Sequence, residues 1–388
     1  MRHNKIFRSS LTCSTVLSVL LSCAPKTPEM AANAPGVNAA SDFAQPTEAV
    51  TPKVDILFVV DNAEAMSAHQ ENLARNIDKF ANEIKNSGSL MDYHIGVTSL
   101  FDHTRWVKGA ANCDFDNGQL RPLKHMIPDP ANPGKQIEEI LNNQNFVTNA
   151  DSDVVGILKD TLVLGEQPFH KCGYKFEEEF GPVKAALQEP ILSGANKGFY
   201  RPEAELAVIF VSDADDETQD MTSENMKDVL LAAKNNKREL ISVFAVTTSA
   251  DANDKSCPRD NDGPPTKLHE LVDKMNGRYL NLCDQDFGNQ LAGFARMIRQ
   301  RALVKVIPLS KVPDLSTVEV RYGGALVSPG AKGWVYDLKS HAIVVSPDVF
   351  TNGTSAGGIS ANAKITVDYV AIDMQNAFNR KQVHVIGQ

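Results

Sequence analysis

Two apolar runs in this chain each end in an acidic loop, and this pattern constrains the fold more than any other feature. Val54-Asp-Ile-Leu-Phe-Val-Val60 leads directly into Asp61, and Ala204-Glu-Leu-Ala-Val-Ile-Phe-Val211 leads into the loop that contains Asp213. Apolar, β-branched runs of this length are typical of strands that are covered on both faces of a parallel sheet. Ligands of open α/β sheets bind at the carboxyl ends of such strands. If the two strands are neighbours, Asp61 and Asp213 belong to one acidic site.

The amino-terminal residues predict export and lipidation. Basic residues precede an apolar stretch that is too short to span a bilayer, which is the order found in secretory signal peptides. Leu20-Leu21-Ser22-Cys23 ends this stretch and resembles a bacterial lipobox. We therefore predict a lipoprotein signal peptide over residues 1–22 and a lipid on Cys23; an ordinary signal peptide that is cleaved elsewhere is the alternative. Because Ala24 rather than Asp follows, we expect the bacterial outer membrane, with the body facing the periplasm or the cell surface.

Composition separates a linker from a folded body. Residues 23–52 are rich in Ala, Pro and Asn, with few large apolar side chains to offset ordering entropy, and they predict a flexible tether. The whole chain of 388 residues is 42% hydrophobic and 22% charged, which is typical of globular proteins, and its length suggests two domains. The net charge is -9, and removal of Arg2, Lys5 and Arg8 with the signal peptide gives -9 - 3 = -12. Because nucleic-acid binding requires a basic surface, we expect no nucleic-acid partner.

Four of the cysteines lie outside the export segment, and in an exported chain an even number predicts disulfides. Three pairings are possible. We favour Cys113 with Cys172 and Cys257 with Cys283, because each bond would close a loop-rich stretch between neighbouring elements. A zinc site is the alternative, but the sequence has no C-x-x-C spacing.

The middle of the chain alternates between strand and helix patterns. This alternation predicts an α/β domain over residues 53–301, with a doubly wound, mostly parallel sheet that is flanked by helices. Residues from about 101 to 170 are polar and contain prolines and an Asp-Asn-Gly turn, so we expect a hairpin followed by an irregular insertion there. The other predicted elements are a helix with Leu73, Ile77, Phe80 and Ile84 on one face, helices at 177–188, 223–235, 268–275 and from 287 onward, and strands at 93–98, 206–211, 240–246 and 278–282.

The two acidic strands also carry a family resemblance. Val54-Asp-Ile-Leu-Phe-Val-Val-Asp-Asn62 resembles the opening of a von Willebrand factor type A (VWA) domain, and Gly198 to Asp213 resembles its central strand in exported bacterial members. The resemblance covers residues 53–301. It implies a Rossmann-like sheet in which the strands that carry Asp61 and Asp213 are adjacent, with a short hairpin strand at the sheet edge. It also implies a role in protein binding or adhesion.

Type A domains often hold a divalent cation at a metal-ion-dependent adhesion site (MIDAS), D-x-S-x-S, which a threonine and an aspartate from two other loops complete. The resemblance implies Asp61 as the first ligand and Asp213 as the last. Ala63 and Ala65 stand at the two serine positions, and Tyr174 takes the place of the threonine. Mg²⁺ requires a nearly octahedral set of oxygen ligands, so this degenerate MIDAS predicts weak or no Mg²⁺ binding.

Two interpretations of the acidic loops remain open. In the first, further oxygen donors rebuild a looser site that suits Ca²⁺ better than Mg²⁺. In the second, no ion binds, residues 215–220 form a solvated loop, and Asp61 caps the helix that follows. We expect no cofactor beyond weak Mg²⁺ or Ca²⁺, and no Mg²⁺-dependent change in melting temperature. The donors of the looser site would be Glu64, Ser67, Asp215 and Asp216.

No motif predicts catalysis. The sequence lacks the H-E-x-x-H, G-x-S-x-G and phosphate-binding G-x-x-x-x-G-K patterns. A phosphatase of the haloacid-dehalogenase type would use the aspartate after the first strand as its nucleophile, but it requires D-x-D, and residue 63 is alanine. Because no cluster supplies an acid, a base and a nucleophile together, we predict that the protein is not an enzyme and has no catalytic residue.

From residue 302 to 388 the helical spacing disappears and short alternating runs replace it. Glycine-rich turns such as Gly323-Gly324 and Asn352-Gly353 separate these runs. We predict a small β-rich, sandwich-like domain in which Trp334 is a core anchor. The predicted strands are 317–322, 333–336, 342–345, 363–369 and 382–385.

These observations leave two classes of function. In the class that we favour, the chain is a lipid-anchored protein of the cell envelope whose VWA-like domain mediates protein binding or adhesion without a standard metal-dependent site. In the second class, it is a structural or scaffolding envelope lipoprotein that uses the fold as a rigid body. A divalent-cation-dependent adhesin with a rebuilt site is the remaining alternative.

Overall fold

The protein has a mixed α/β fold, and the predicted fold class is confirmed in the computed structural model. The ranges that the structure describes are 52–85, 91–100, 118–141, 144–164, 177–257, 263–285, 287–350 and 363–372. The elements up to residue 303 are β1 (Lys53–Val60), α1 (Ser67–Lys85), β2 (Asp92–Ser99), β3 (Lys124–Pro128), β4 (Gln136–Ile140), β5 (Phe146–Thr148), α2 (Val154–Leu162), α3 (Phe180–Ala186), β6 (Glu205–Ser212), α4 (Ser223–Ala233), β7 (Ile241–Thr247), α5 (Thr266–Lys274), β8 (Arg278–Asn281) and α6 (Gly288–Leu303).

The main sheet has six strands in the order β5-β2-β1-β6-β7-β8. All neighbours are parallel except β5, which pairs antiparallel with β2 at the edge. The expected adjacency of the two acidic strands is confirmed, because β1 pairs with β6 and Val60 lies opposite Val211. The winding direction changes between β1 and β6, so a crevice opens at their carboxyl ends.

Strand β1 is buried on both faces, which explains why its sequence does not alternate between polar and apolar residues. Ile56 and Phe58 pack on the side of α1, α2 and α6, whereas Leu57 packs on the side of α3, α4 and α5. Asp55 is a buried exception, and its carboxylate lies 2.8 Å from Nε of Arg201. The polar groups of this strand are therefore confined to its ends.

The two long helices bury the faces that their spacing predicts. In α1, Leu73, Ile77, Phe80 and Ile84 are all buried, and Phe80 meets Phe58 edge to face at 5.4 Å between ring centroids. In α6 the buried face includes Phe294, which stacks on Phe244 of β7 at 4.5 Å. Both helices cover the same side of the sheet.

The insertion is more regular than expected. It contains the antiparallel hairpin of β3 and β4, the edge strand β5, and the helix α2, which the sequence pattern did not predict. Val154, Val155 and Gly156 lower the intrinsic helix propensity of α2, and its apolar face packs against the core on the side of α1. Packing therefore overrides local preference. The predicted helix at 177–188 begins only at Phe180, so Glu177 to Glu179 belong to a loop.

The carboxyl-terminal region is β-rich, as expected, and forms two three-stranded antiparallel sheets. Trp334 is buried between them, and its indole N–H donates to the carbonyl of Val327 at 3.0 Å. Two strands were not predicted, and residues 315–317 form a single 3-10 turn instead of the start of a strand. The predicted strand at 382–385 lies outside the described residues. The strands are β9 (Lys305–Pro308), β10 (Glu319–Tyr322), β11 (Ala325–Val327), β12 (Trp334–Asp337), β13 (Ala342–Val345) and β14 (Ile365–Asp368), of which β9 and β11 are the unpredicted ones.

One of the two favoured disulfides is present. Cys257 and Cys283 are bonded, with their Cα atoms 5.4 Å apart, and the bond ties the loop after β7 to the loop after β8. The other favoured pair, Cys113 with Cys172, lies outside the described residues, as do the signal peptide and Cys23. Across the parts of the chain that the structure describes, no helix is both long enough and apolar enough to cross a membrane.

The central position of β1 makes it sensitive to truncation. Leu57→Ala is expected to lower the free energy of unfolding by about 2–5 kcal/mol, because it leaves a cavity in a closed core. The matched control Leu338→Ala acts on a side chain that is 67% exposed, and a change below about 0.5 kcal/mol is expected there. Urea unfolding followed by circular dichroism measures both variants. Equal losses would contradict the burial of β1.

Candidate functional site

The acidic site lies at the carboxyl ends of β1 and β6. Asp61 directly follows β1, and its backbone N–H donates to the carbonyl of Val211 at 2.9 Å, which ties the two strand ends together. Asp213 directly follows β6. Both carboxylates are buried. Side-chain oxygens of Asp61, Asp213 and Glu177 all lie within 4.8 Å of one another, so the structure brings together the two residues that the sequence singled out and adds a third.

Glu177 was not predicted as part of the site, because the apolar spacing placed it inside a helix. The loop that holds it is pinned by two hydrogen bonds to Glu217: the N–H of Glu217 donates to the carbonyl of Glu177 at 2.7 Å, and the N–H of Glu177 donates to the Glu217 carboxylate at 3.3 Å. Pro182 was the available signal, since proline favours the first turn of a helix, and it would have left Glu177 in the preceding loop. Tyr174, the expected threonine replacement, lies outside the described residues.

A buried serine links two of the acidic groups. The hydroxyl of Ser212 lies 3.0 Å from Oδ2 of Asp61 and 2.9 Å from Oε1 of Glu179. Complete burial raises the pKa of Glu179 well above its usual value, and the negative charges of Asp216, Asp61 and Glu177 raise it further. A hydroxyl carries one proton, so Ser212 donates to only one of these two carboxyl groups at a time.

Asp61 lies six residues before the first residue of α1 and forms a local turn there. Its Oδ1 accepts a hydrogen bond from the N–H of Ala63 at 2.7 Å, and its carbonyl accepts one from the side chain of Gln70 at 2.9 Å. The first of these is a local Asx-type turn, and it fixes the carboxylate at the strand end. Ala63 and Ala65 offer no side-chain oxygen, as the sequence already required.

Two of the four donors expected for the looser site, Asp215 and Asp216, are engaged in other contacts. The Asp215 carboxylate accepts from the backbone N–H of Lys267 at 2.8 Å, at the start of α5. The Asp216 carboxylate accepts from the N–H of Phe180 at 2.9 Å and lies 3.4 Å from the ammonium group of Lys267. Both aspartates therefore join loops to helices. The side chain of Glu64 lies outside the described part of the chain, and Ser67 is the first residue of α1.

A solvated acidic loop was the second part of the ion-free interpretation, and it is wrong for Asp216. This residue is buried, and burial raises the pKa of its carboxyl group despite the hydrogen bonds from Thr218 and Phe180. Asp220, in contrast, is exposed. The acidic loop therefore divides into a buried half that faces α3 and α5 and an exposed half.

Two fully buried side chains beside the site keep polar atoms without a hydrogen-bond partner. Oε2 of Glu179 has none among the described residues, and neither has Oδ1 or Nδ2 of Asn62, which directly follows Asp61. Buried polar atoms are normally satisfied by protein, ordered water or a ligand. Ordered water or a bound polar ligand would satisfy these atoms.

The donor set fits a hard divalent cation. Asp61, Glu177 and Asp213 reach the cluster from three different loops and offer only carboxylate oxygens. Ca²⁺ accepts six to eight oxygen ligands in flexible geometry, including carboxylates, carbonyls and water, whereas Mg²⁺ demands a nearly ideal octahedron. A carboxylate cluster without hydroxyl ligands therefore suits Ca²⁺ better than Mg²⁺.

Comparisons with known proteins find likeness only among solved structures. No protein-family model matches the sequence, and no curated protein matches it. Proximal thread matrix protein 1 from the mussel byssus, in crystal form 2, is 14% identical with a TM-score of 0.34, over 67% of this chain and 51% of that chain. The same protein with a zinc-occupied MIDAS motif is 12% identical with a TM-score of 0.35, over 69% of this chain and 52% of that chain.

A third similar structure is the pilus adhesin SpaC from Lactobacillus rhamnosus GG in its open conformation. It is 10% identical with a TM-score of 0.34, and the match covers 82% of this chain and 38% of that chain. The chain thus spans about half or less of the length of these proteins. At such low identities and TM-scores, these likenesses carry no argument about what this chain does.

Proposed function

We propose that this chain is a lipid-anchored protein of the bacterial cell envelope that binds a protein partner at the carboxyl edge of its six-stranded sheet. In this proposal the edge holds one Ca²⁺-type cation in place of a standard MIDAS. The observation that carries the proposal is the convergence of Asp61, Glu177 and Asp213, whose side-chain oxygens lie within 4.8 Å of one another.

Charge supports the cation. Buried carboxylates at this separation repel one another, and the pKa of Glu179 is raised partly by the charges of Asp61 and Glu177. A divalent cation offsets that repulsion, whereas the neighbouring Lys267 is already engaged with the carbonyl and carboxylate of Asp216. When bound, the cation would supply an open position for an oxygen ligand from a partner.

The rim of the crevice supports a role in binding. The disulfide between Cys257 and Cys283 joins the loops that follow β7 and β8, which lie at the same edge as Asp61 and Asp213. A rigid rim lowers the entropy that is lost when a partner binds. The VWA resemblance of the two acidic strands and the strand order agree with this use of the edge, although the fold alone does not specify function. We propose binding without catalysis.

The cation can be tested by melting temperature. Titration of the EDTA-treated protein with CaCl₂ is expected to raise the melting temperature saturably, since a ligand that binds only the folded state stabilises it. MgCl₂ at the same concentrations is expected to cause no saturable rise. Glu177→Gln should remove the Ca²⁺ response, and the same substitution at exposed Glu139 should leave it intact. A full response in Glu177→Gln, or none in the wild type, would sink the Ca²⁺ site.

Partner binding can be tested with the two strand-end aspartates. Asp61→Ala and Asp213→Ala are expected to reduce cross-linking to envelope proteins in cells, because they remove the cation and the acidic surface together. Quantitative mass spectrometry compares the cross-linked set, and circular dichroism checks that the fold is intact. The mass of a partner that is released from the cross-link should be unchanged, because we propose binding without catalysis. Undiminished cross-linking by a folded double variant would favour the scaffolding role instead.

The anchor has its own test. Cys23→Ala is expected to lose metabolic palmitate labelling and to move from the membrane fraction to the soluble fraction, because the lipidated thiol is gone. Protease treatment of intact cells then distinguishes surface exposure from a periplasmic location. Retained palmitate on the variant would refute the lipobox.

A further inference from the structure

A second cleft lies at the opposite, amino-terminal edge of the main sheet, far from the acidic crevice along the strands. Its volume is about 1120 Å³, and it is bordered by the start of β1, the turn before β7, the end of α6 and the start of β9. The cleft therefore joins the α/β region to the first strand of the β-rich region. Neither the proposed cation site nor the disulfide contributes to it.

Basic side chains outnumber acidic ones in this cleft, because Lys53, Lys237, Arg238, Arg301 and Lys305 line it together with Glu203, Glu205 and Glu239. The guanidinium groups of Arg238 and Arg301 both donate to the carbonyl of Ile241, at 2.7 and 2.8 Å, so they are held side by side. Each guanidinium has five N–H donors. Arg301 uses one of them in this bond, and Arg238 uses a second one on the carbonyl of Met275, so both keep donors for a ligand. Lys237 and Lys305 also line the cleft and make no ion pair with any residue in the described ranges. The cleft thus offers charge and directed hydrogen-bond donors.

The floor of the cleft is Glu205, which is 1% exposed. Its Oε1 accepts a hydrogen bond from Ser242, and its Oε2 has no partner among the described residues. Burial raises the pKa of Glu205 to about 8, and the opposing effects of Ser242, Arg301, Lys234 and Arg238 do not cancel it. Burial therefore favours the protonated form of this carboxyl group. Because Oε1 accepts, we place the proton on Oε2, where it is a buried donor that lacks an acceptor.

A neutral carboxyl donor beside two guanidinium groups is complementary to an oxyanion with several acceptor oxygens, and phosphate has this chemistry. Apolar side chains border the same cleft: Val304 is 40% exposed and Val306 is 44% exposed. Exposed apolar groups next to basic ones are typical of surfaces that contact the interface of an anionic membrane. Basic donors beside exposed apolar side chains favour a phosphate that is part of an amphiphilic molecule over a dissolved phosphate ion.

The position of the cleft agrees with such a ligand. Pro52 lines it, and only 52 - 23 = 29 residues separate Pro52 from the predicted lipidated Cys23. With the tether and the lipid that the sequence predicts, a chain of that length would span about 30 Å on average, which would keep this edge near the bilayer. The whole chain carries a net charge of -9, so approach to an anionic surface requires a local basic patch such as this one.

We propose that this cleft binds the phosphate of an anionic phospholipid headgroup. Arg238 and Arg301 contact the phosphate oxygens, Glu205 donates to one of them, and Lys237 and Lys305 supply surrounding positive charge. Val304 and Val306 contact the interface beside the headgroup. Contact with the membrane through this edge directs the acidic crevice, at the other end of the strands, away from the bilayer.

Lysine footprinting of the full chain tests this assignment. The protein is mixed with phosphatidylcholine vesicles, with or without phosphatidylglycerol, and acetylated with an amine-reactive reagent before mass spectrometry. Phosphatidylglycerol is expected to slow the labelling of Lys237 and Lys305 about fivefold, the equivalent of roughly 1 kcal/mol. Exposed Lys184 on α3 is the internal control. The readout is local protection, so it reports on the cleft whether or not the anchor inserts.

Matched variants separate the cleft from general membrane charge. Arg301→Gln is expected to abolish the protection, and Arg278→Gln, at an exposed position on β8, should retain it. In the wild type, protection should fall as the pH rises past about 8, the pKa of Glu205, because an ionised carboxylate repels phosphate. Glu205→Gln keeps a donor that does not ionise, so its protection should persist at higher pH relative to Lys184.

The charged groups around Glu205 bear on this pH dependence. Lys234 at the end of α4, Arg238 before β7 and Arg301 on α6 act on its carboxyl group directly. Lys53, Glu203 and Glu239 line the same cleft, and Asp55 lies on the neighbouring strand β1.

Two results would overturn the proposal. One is equal labelling of Lys237 and Lys305 in the two kinds of vesicle. The other is full protection by dissolved inorganic phosphate with no further effect of phosphatidylglycerol, which would assign the cleft to a free anion. The labelling of Lys237 and Lys305 does not depend on whether the acidic crevice binds Ca²⁺. The phospholipid proposal and the Ca²⁺ proposal can therefore be refuted separately.

Discussion

The parallel pairing of β1 with β6 is the interaction on which the rest of the structure depends. Both strands are buried on both faces, and every position from Val54 to Val60 has a partner between Glu205 and Val211. A strand in that position can carry polar groups only at its ends or in a buried pair, such as Asp55 with Arg201. Polar and charged side chains therefore gather at the two edges of the sheet where the strands begin and end. The apolar core lies between these two groups.

The two edges have opposite character. At the carboxyl edge the strands deliver Asp61 and Asp213, and a pinned loop adds Glu177. At the amino edge Glu205 starts β6, burial raises its pKa to about 8, and the cleft around it has more basic than acidic side chains. Burial thus has two outcomes for carboxyl groups here. Where several meet, their mutual repulsion favours a cation. At Glu205, burial favours the protonated form although the neighbouring basic groups oppose it.

Much of the fold was predictable from local pattern. The apolar runs, the helical spacing of α1 and α6, and the alternation of element types predicted the sheet, its flanking helices and the adjacency of β1 and β6. The failures have different causes. Helix α2 contains Val154, Val155 and Gly156, which favour other conformations, and it is helical because its apolar face packs against the core. Strand β11 has only three residues, too few to show a period, and β9 directly follows the helical pattern of α6.

The sequence by itself determined that Asp61 and Asp213 end two buried strands and that no hydroxyl ligand stands at residues 63 and 65, because residue type and spacing follow directly from it. Only the tertiary structure decided that Glu177 joins them, that Asp215 and Asp216 instead hold helices, and that a basic cleft forms at the far edge. These outcomes depend on contacts between segments far apart in the chain. Local propensity carries no information about which distant loops a closed core brings together.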